Sequence, residues 1–179
     1  MKVTCTKPDA AVRQLDTAIG LLLTDGDPLA VRTLAGAAFH IFADLADGQI
    51  RNSSWRAKLV QDSGLSEKEA FQILNAAQNF LKHADKDPTA DLLFDETEND
   101  HLIFVATIEC GGLRHPLSYS MQAFQVWYLG VYPEKVGHET EPVRVGKSVF
   151  PGLPEKPRHE QLALGHRFLE RVLVKKGLL

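Results

Sequence analysis

The chain has 179 residues, of which 44% are hydrophobic, with 20 basic and 23 acidic side chains. This length and core content fit one domain that folds without disulfides or metal, and the near balance of charge excludes a strong global field for nucleic acid or membrane. Cys5 and Cys110 lack CxxC spacing, and the first residues lack the apolar run of a signal peptide. We therefore expect a cytoplasmic protein without membrane association.

The first two predicted elements are helices joined by a short turn. Apolar side chains recur at helical spacing over residues 9–24, which indicates an amphipathic helix. Asp27 and Pro28 then provide an N-cap followed by proline at the first helical position. The next helix, to about residue 47, is apolar or small on nearly all sides. We expect it to be central in the fold, with Gly48 at its C-terminal cap.

A short helix is predicted over residues 54–61, followed by a longer one that ends near residue 84. Ser66 and Glu69 form the capping-box pattern at the start of the longer helix. Pro88 follows its end, where the residue before a proline avoids the helical region. Its apolar side chains recur at helical spacing. They predict a buried stripe of Ala70, Ile73, Leu74, Ala77, Phe80, Leu81 and Ala84.

The middle of the chain contains the one ambiguous element. The apolar run over residues 102–110 suits either a buried strand or a buried helix. We favour a helix because Thr97 and the acids after it resemble an N-cap with an acidic first turn, and no second strand candidate exists to pair with it. A further helix is expected over residues 117–132, closed by Pro133. The segment 91–95 predicts an ordered loop that packs Leu92, Leu93 and Phe94.

The last part of the chain differs in composition. Residues 134–156 are rich in Gly, Pro, Val and charge and show no helical period, so we expect an irregular arm on the surface or on a partner. A helix is predicted from residue 157 to about residue 176. The expected organisation is a helical bundle domain over residues 1–133, the arm over 134–156, and the C-terminal helix segment over 157–179, which packs on the bundle or a partner. The predicted fold class is all-α, a compact bundle of six or seven helices.

The best candidate for a functional site lies at the end of the helix that Ser66 begins. On a helical wheel, Asn79 and His83 fall opposite the apolar stripe. Beside them are Asn75, Gln78 and Lys82. One interpretation is a polar cleft or dimer seam, in which His83 acts as an acid–base group or binds phosphate with Lys82. The other is a solvated face, where Lys82 and His83 complement the negative end of the helix dipole.

Three further groups of residues have two interpretations each. His40, on the central helix, is either a buried imidazole that donates to a backbone carbonyl or a ligand-binding residue that pairs with His83. Glu98 and His101 have the spacing of di-iron helical bundles, but such sites need a second pair and two further carboxylates. We therefore expect no metal and no cofactor. An aromatic cluster either stacks a nucleobase or forms core and a partner surface; it consists of Trp127, Tyr128 and Tyr132.

The segment Gln78-Asn79-Phe80-Leu81-Lys82-His83 resembles the motif of the HEPN superfamily of helical domains. That motif has an arginine, a polar residue that is often asparagine, and a later histidine. In the ribonuclease members, the arginine and histidine meet across a homodimer and cleave RNA without metal. The resemblance places Asn79 and His83 at the polar and histidine positions. Gln78 stands at the arginine position, and glutamine lacks the fixed positive charge that stabilises a pentacovalent phosphate.

Most of residues 11–134 also resembles a widespread family of uncharacterised bacterial helical proteins. The resemblance rests on short motifs and on the aromatic helix that ends at Tyr132-Pro133; the motifs are Gln14-Leu-Asp-Thr-Ala-Ile19, Asp27-Pro28, Thr33-Leu-Ala-Gly-Ala-Ala38 and Asn79-Phe-Leu-Lys-His-Ala-Asp85. It implies a helical fold without an assigned activity.

From these features we expect a non-catalytic homodimeric binding module of HEPN-like type. Its partner besides the second subunit would be RNA, a nucleotide or a protein. One alternative is a metal-independent ribonuclease or nucleotide-acting enzyme that uses His83, with Asn79 as the other candidate catalytic residue. A second alternative is a metal-carboxylate helical protein.

Overall fold

The computed structural model describes residues 2–83, 85, 88–137 and 140–179, without the side chains of Glu67 and Leu74. Over these residues the protein is all-α, as predicted, and has no strand. The described residues form eight α-helices and one 3-10 turn at Pro133–Lys135. The helices are α1 Lys7–Leu23, α2 Pro28–Gln49, α3 Trp55–Asp62, α4 Glu67–Lys82, α5 Glu98–Gly112, α6 Tyr119–Val131, α7 Glu141–Val149 and α8 Arg158–Lys175.

Two helix starts, at Asp27 and Ser66, follow from local hydrogen bonds that the sequence predicts. The side chain of Asp27 accepts from the backbone N–H of Ala30, and Pro28 takes the first position of α2. Ser54 caps α3 in the same way. Ser66 and Glu69 form the predicted capping box at the start of α4. Each bond satisfies an N–H that the first helical turn leaves unpaired.

The core lies among α1, α2, α5, α6 and α8. Its largest fully buried side chains include Leu15 and Ile19 from α1, Phe42 from α2, Ile103 from α5 and Trp127 from α6. The apolar run in α5 is therefore a buried helix, as predicted.

Helix α8 packs on α6 and α1 within the bundle. A side chain at Gly165 of α8 would overlap Leu23 and Trp127. The indole Nε1 of Trp127 donates to the carbonyl of Gln161 at 2.8 Å. The C-terminal helix thus joins the core through a close approach of backbones and one buried hydrogen bond.

The prediction of an irregular arm over residues 134–156 is wrong for α7. This helix packs on α6 and buries Val143 and Gly146. A Cβ at Gly146 would lie 2.9 Å from the backbone nitrogen of Gly130, so glycines make the contact where large apolar residues ordinarily do. Helix α7 is only nine residues long and contains Pro142 and Gly146, which are typical of loops, and the helix count exceeds the predicted six or seven. His138 and Glu139 of the arm lie outside the described residues.

Three smaller predictions are also wrong. Gly48 lies inside α2, which continues to Gln49. The side chain of Thr97 makes no cap hydrogen bond to α5; its hydroxyl donates to Asp95 instead. Leu93, expected to pack in a loop, is fully exposed.

Helix α2 has the length and composition to cross a membrane, with a mean hydropathy of 1.3, and it was the one such helix among the described residues. Half of the most apolar 18-residue stretch of α2 is buried inside the protein. The central helix of a bundle meets the same criterion because it is apolar on several sides. This feature is therefore weak evidence for a membrane span.

Candidate functional site

Helix α4 contacts the bundle with a different face from the one predicted. Ala70 and Ala77 are buried as expected, but Gln78 is also buried, at 3% exposure, whereas Ile73 is 65% exposed. The buried face of α4 is therefore rotated by a fraction of a turn from the predicted stripe, and that prediction is wrong to this extent. Phe80 and Leu81 are half-buried. The side chain of Leu74 and the whole of Ala84 lie outside the described part of the structure.

The reason for this rotation lies on α2. Gly36 has no side chain, and a Cβ there would overlap Oε1 of Gln78. The gap at Gly36 admits the glutamine, so α4 turns its amide inward and the larger Ile73 outward. We call the contact of Gly36 and His40 with Asn75 and Gln78 the α2–α4 seam.

The seam contains amides without partners. Among the described residues, neither Oε1 nor Nε2 of Gln78 has a hydrogen-bond partner, and Oδ1 of Asn75 has none. A buried polar group left in this state costs about 1–3 kcal/mol. Within the described residues, the seam therefore buries amide groups that are only partly satisfied.

His40 lies half-buried in the seam. Burial lowers its pKa, and the positive charges of Arg56 and Lys82 lower it further, against opposing contributions from Asp44 and the Asn75 amide. The imidazole is therefore neutral at pH 7. The described part of the chain shows no hydrogen bond from His40 to a backbone carbonyl, which was one expectation. The neighbour of His40 in the seam is Asn75, not His83.

Arg56 supplies a positive charge near the seam, but it is already paired. Its guanidinium lies 2.7 Å from Asp44 and 3.0 Å from Asp47. It also lies over the ring of Phe71 at 5.8 Å. Two carboxylates offset this charge, so Arg56 holds α3 against α2 rather than offering a free site for an anion.

The other predicted site residues lie on the outer face of α4. Asn79 and Lys82 are exposed. His83 is the C-cap residue of α4, and its Nδ1 lies 4.0 Å from Oδ1 of Asp85. The structure therefore divides the predicted site into two groups. His40, Asn75 and Gln78 form the seam, whereas Asn79, Lys82 and His83 face outward.

A buried charge network that sequence reasoning missed joins α5, α6 and α8. Asp100 has no exposure and accepts two hydrogen bonds from Arg158, at 2.6 and 2.8 Å, and one from Tyr132 at 2.8 Å. We call these three residues the α5–α6–α8 junction. Asp100 was interpreted as a helix-dipole acid, and its distance from Arg158 along the chain left no local signal. Because the carboxylate is fully paired, the junction is structural.

The aromatic cluster supports the core interpretation rather than nucleobase stacking. Trp127 and Tyr128 are buried. Burial, with the nearby negative charge of Asp100, raises the pKa of Tyr128 to about 12. Its hydroxyl lies 2.9 Å from Nδ1 of His101. These rings are unavailable to a nucleobase in this conformation.

The two residues with the di-iron spacing, Glu98 and His101, make other contacts. Glu98 pairs with Arg32 at 3.6 Å, and His101 pairs with Tyr128. The described residues contain no group of three or more side chains suited to a metal ion. No known protein family, curated protein or solved structure matches the chain. Geometry and chemistry of the described residues are therefore the basis for a functional proposal.

Proposed function

We propose that the protein is a non-catalytic homodimeric binding module of HEPN-like type. The observation that carries the proposal is the burial of Gln78 in the α2–α4 seam while Asn79 and His83 remain on the outer face of α4. Gln78 and His83 project about 140° apart around the helix axis. The position that carries arginine in the resembled ribonucleases thus lacks a charge and is buried in the seam.

The outer face of α4 is the surface proposed for the dimer. Ala76 and Asn79 are exposed there, and Phe80 is only half-buried. A two-fold contact uses the same surface on both subunits, so α4 would pack on α4 of the second copy. Packing would cover Ala76 and Phe80 and bring the two copies of His83 close together.

The proposed ligand carries phosphate, as a nucleotide or RNA does. Each subunit contributes Lys82 and His83 at the same end of α4, and the dimer doubles both. A lysine ammonium is a point-charge donor to phosphate, and a protonated histidine adds a second donor. Asp85 beside His83 offsets part of this charge, so the binding is expected to be moderate and sensitive to salt.

The oligomeric state can be tested by sedimentation equilibrium at micromolar concentration. The expected mass is about twice the 19.8 kDa of the chain. Ala76→Arg is expected to weaken the dimer at least about tenfold by placing two like charges across the contact. Thr17→Arg, on an exposed position of α1, is the matched control and should have no effect. A wild-type mass near 19.8 kDa would contradict the dimer.

The ligand class can be tested by fluorescence anisotropy with labelled single-stranded and hairpin RNA and with a labelled nucleotide, without divalent metal. Lys82→Ala should weaken binding about tenfold, and Lys175→Ala, an equal charge change on α8, should weaken it far less. The same RNA should stay intact. Cleavage that disappears in His83→Ala would establish the ribonuclease alternative instead.

A further inference from the structure

An apolar groove beside the outer face of α4 lies between α2, α3, α4 and α5. Its volume is about 400 Å³, within the range of small-molecule sites. Ile73, the residue that α4 turns outward, forms part of its wall together with Leu59 of α3. Other apolar wall residues are Phe39, Leu102 and Val105. The exposure of Ile73 therefore belongs to a concave apolar surface.

Arg32 is a buried positive charge in the wall of this groove. Its exposure is 8%, and its Nε has no hydrogen-bond partner among the described residues. Its one ion pair within the described part of the chain, with Glu98 at 3.6 Å, is longer than a charge-assisted hydrogen bond. Burial lowers the pKa of Arg32, and Glu98 opposes this effect. A guanidinium in this state gains from a closer anion.

The geometry around Arg32 suits a planar anion. The ring of Phe94 lies 5.4 Å from the guanidinium carbon. A ring over the face of a guanidinium leaves the in-plane N–H donors available, and a carboxylate accepts from two such donors at once. Glu98 is half-exposed, so its side chain can turn into solvent when another carboxylate enters. His101 is the remaining titratable residue of the wall.

We propose that the groove binds an amphipathic monocarboxylate, with its carboxylate on Arg32 and its apolar body along Phe39, Leu102 and Ile73. Charge complementarity selects the head group, and the apolar wall selects the body. Glu98 occupies the head-group position when the groove is empty and competes with the ligand. This site is distinct from the surface proposed for phosphate and for the dimer.

The test uses isothermal titration calorimetry of the full chain with decanoate, below the concentration at which decanoate forms micelles. Saturable binding of one decanoate per chain is expected, with binding of 1-decanol at least about tenfold weaker because it lacks the charge. Acetate, which has the head group alone, should not bind measurably. Equal affinity for decanoate and 1-decanol, or no saturable binding of decanoate, would overturn the proposal.

Two variants separate the roles of the charges. Arg32→Met keeps the length and apolar stem but removes the charge, and it should weaken decanoate binding about tenfold or more. Glu98→Gln removes the competitor on an exposed position and should strengthen binding several-fold. Arg13→Met, on the exposed surface of α1, should change nothing. Decanoate binding that Arg32→Met leaves unchanged, or that Glu98→Gln weakens, would contradict the assigned geometry.

The outcome is independent of the dimer proposal. Ala76→Arg leaves every residue of the groove wall in place, so a variant that no longer dimerises should bind decanoate with unchanged affinity. Loss of decanoate binding in Ala76→Arg would show that the groove forms only in the dimer, and the proposal of a site within one chain would then be wrong.

Discussion

The α5–α6–α8 junction and the α2–α4 seam both bury polar side chains, but they satisfy them to different degrees. At the junction, Asp100 accepts from Arg158 and Tyr132, so its desolvated charge is fully paired. In the seam, neither polar atom of Gln78 has a partner among the described residues. The first arrangement holds three helices in one geometry. The second costs free energy, because a buried amide loses its hydrogen bonds to water and gains none from the described residues.

The largest effect is expected at the junction. Asp100→Ala should destabilise the protein by about 3–5 kcal/mol, because it removes the fully buried carboxylate and leaves the largely covered Arg158 charge without its partner. Urea unfolding monitored by circular dichroism measures the change. Glu141→Ala, which removes the exposed ion pair with Arg144 on α7, should change stability by less than about 1 kcal/mol. Similar losses of stability in both variants would show that Asp100 contributes no more to stability than an exposed acid does.

A pair of glycines sharpens the comparison of packing. Gly165→Ala places a Cβ 2.7 Å from Leu23 and Trp127 in the core and should destabilise by about 2 kcal/mol, as overpacking does. Gly36→Ala displaces only the flexible end of Gln78, so a loss below about 1 kcal/mol is expected. Thermal melts of the two variants in parallel give the order. A larger loss for Gly36→Ala would indicate that the seam is as tightly packed as the core.

Two buried glutamines test the value of hydrogen-bond satisfaction directly. Gln78→Leu should stabilise the protein by about 1 kcal/mol, because it replaces an amide without partners by an apolar group of similar size. Gln161→Leu should destabilise it by about 1 kcal/mol, because Nε2 of Gln161 donates to the carbonyl of Leu153 at 3.2 Å. Chemical unfolding of both variants measures the sign. Equal signs would contradict the contrast between the two regions.

The smallest expected effect is the pH dependence that His40 contributes. Its pKa is lowered in the folded state, so below about pH 6.5 the unfolded chain binds a proton that the folded chain does not. Stability should therefore fall as pH falls from about 6.5 toward the folded pKa. Burial raises the pKa of Asp16 and Glu109, and these carboxyls act in the opposite direction.

The difference between wild type and His40→Gln isolates the histidine from those carboxyls. Unfolding free energies at pH 7.5 and 5.5 should show a smaller loss on acidification in the variant, by less than about 1 kcal/mol if the folded pKa is only modestly lowered. An identical pH dependence in the two proteins would show that His40 is not desolvated in the seam.

Local sequence signals account for most helix boundaries. The caps at Asp27, Ser54 and Ser66 depend on bonds between residues three apart, so the sequence alone suffices to find them. The apolar run of α5 likewise needed only its length and its missing strand partner. Helix α7 was missed because it is only nine residues long and contains Pro142 and Gly146, which are typical of loops.

By itself, the sequence determined the all-α class and the capped starts of α2 and α4, because these follow from short-range spacing and hydrogen bonding. Only the tertiary structure decided which side of α4 is buried, since the gap at Gly36 on another helix admits Gln78 and turns Ile73 outward. Only the tertiary structure joined Asp100 to Arg158 across 58 residues of chain and placed Arg32 in an apolar groove. Contacts between distant segments depend on helix packing, which no local pattern specifies.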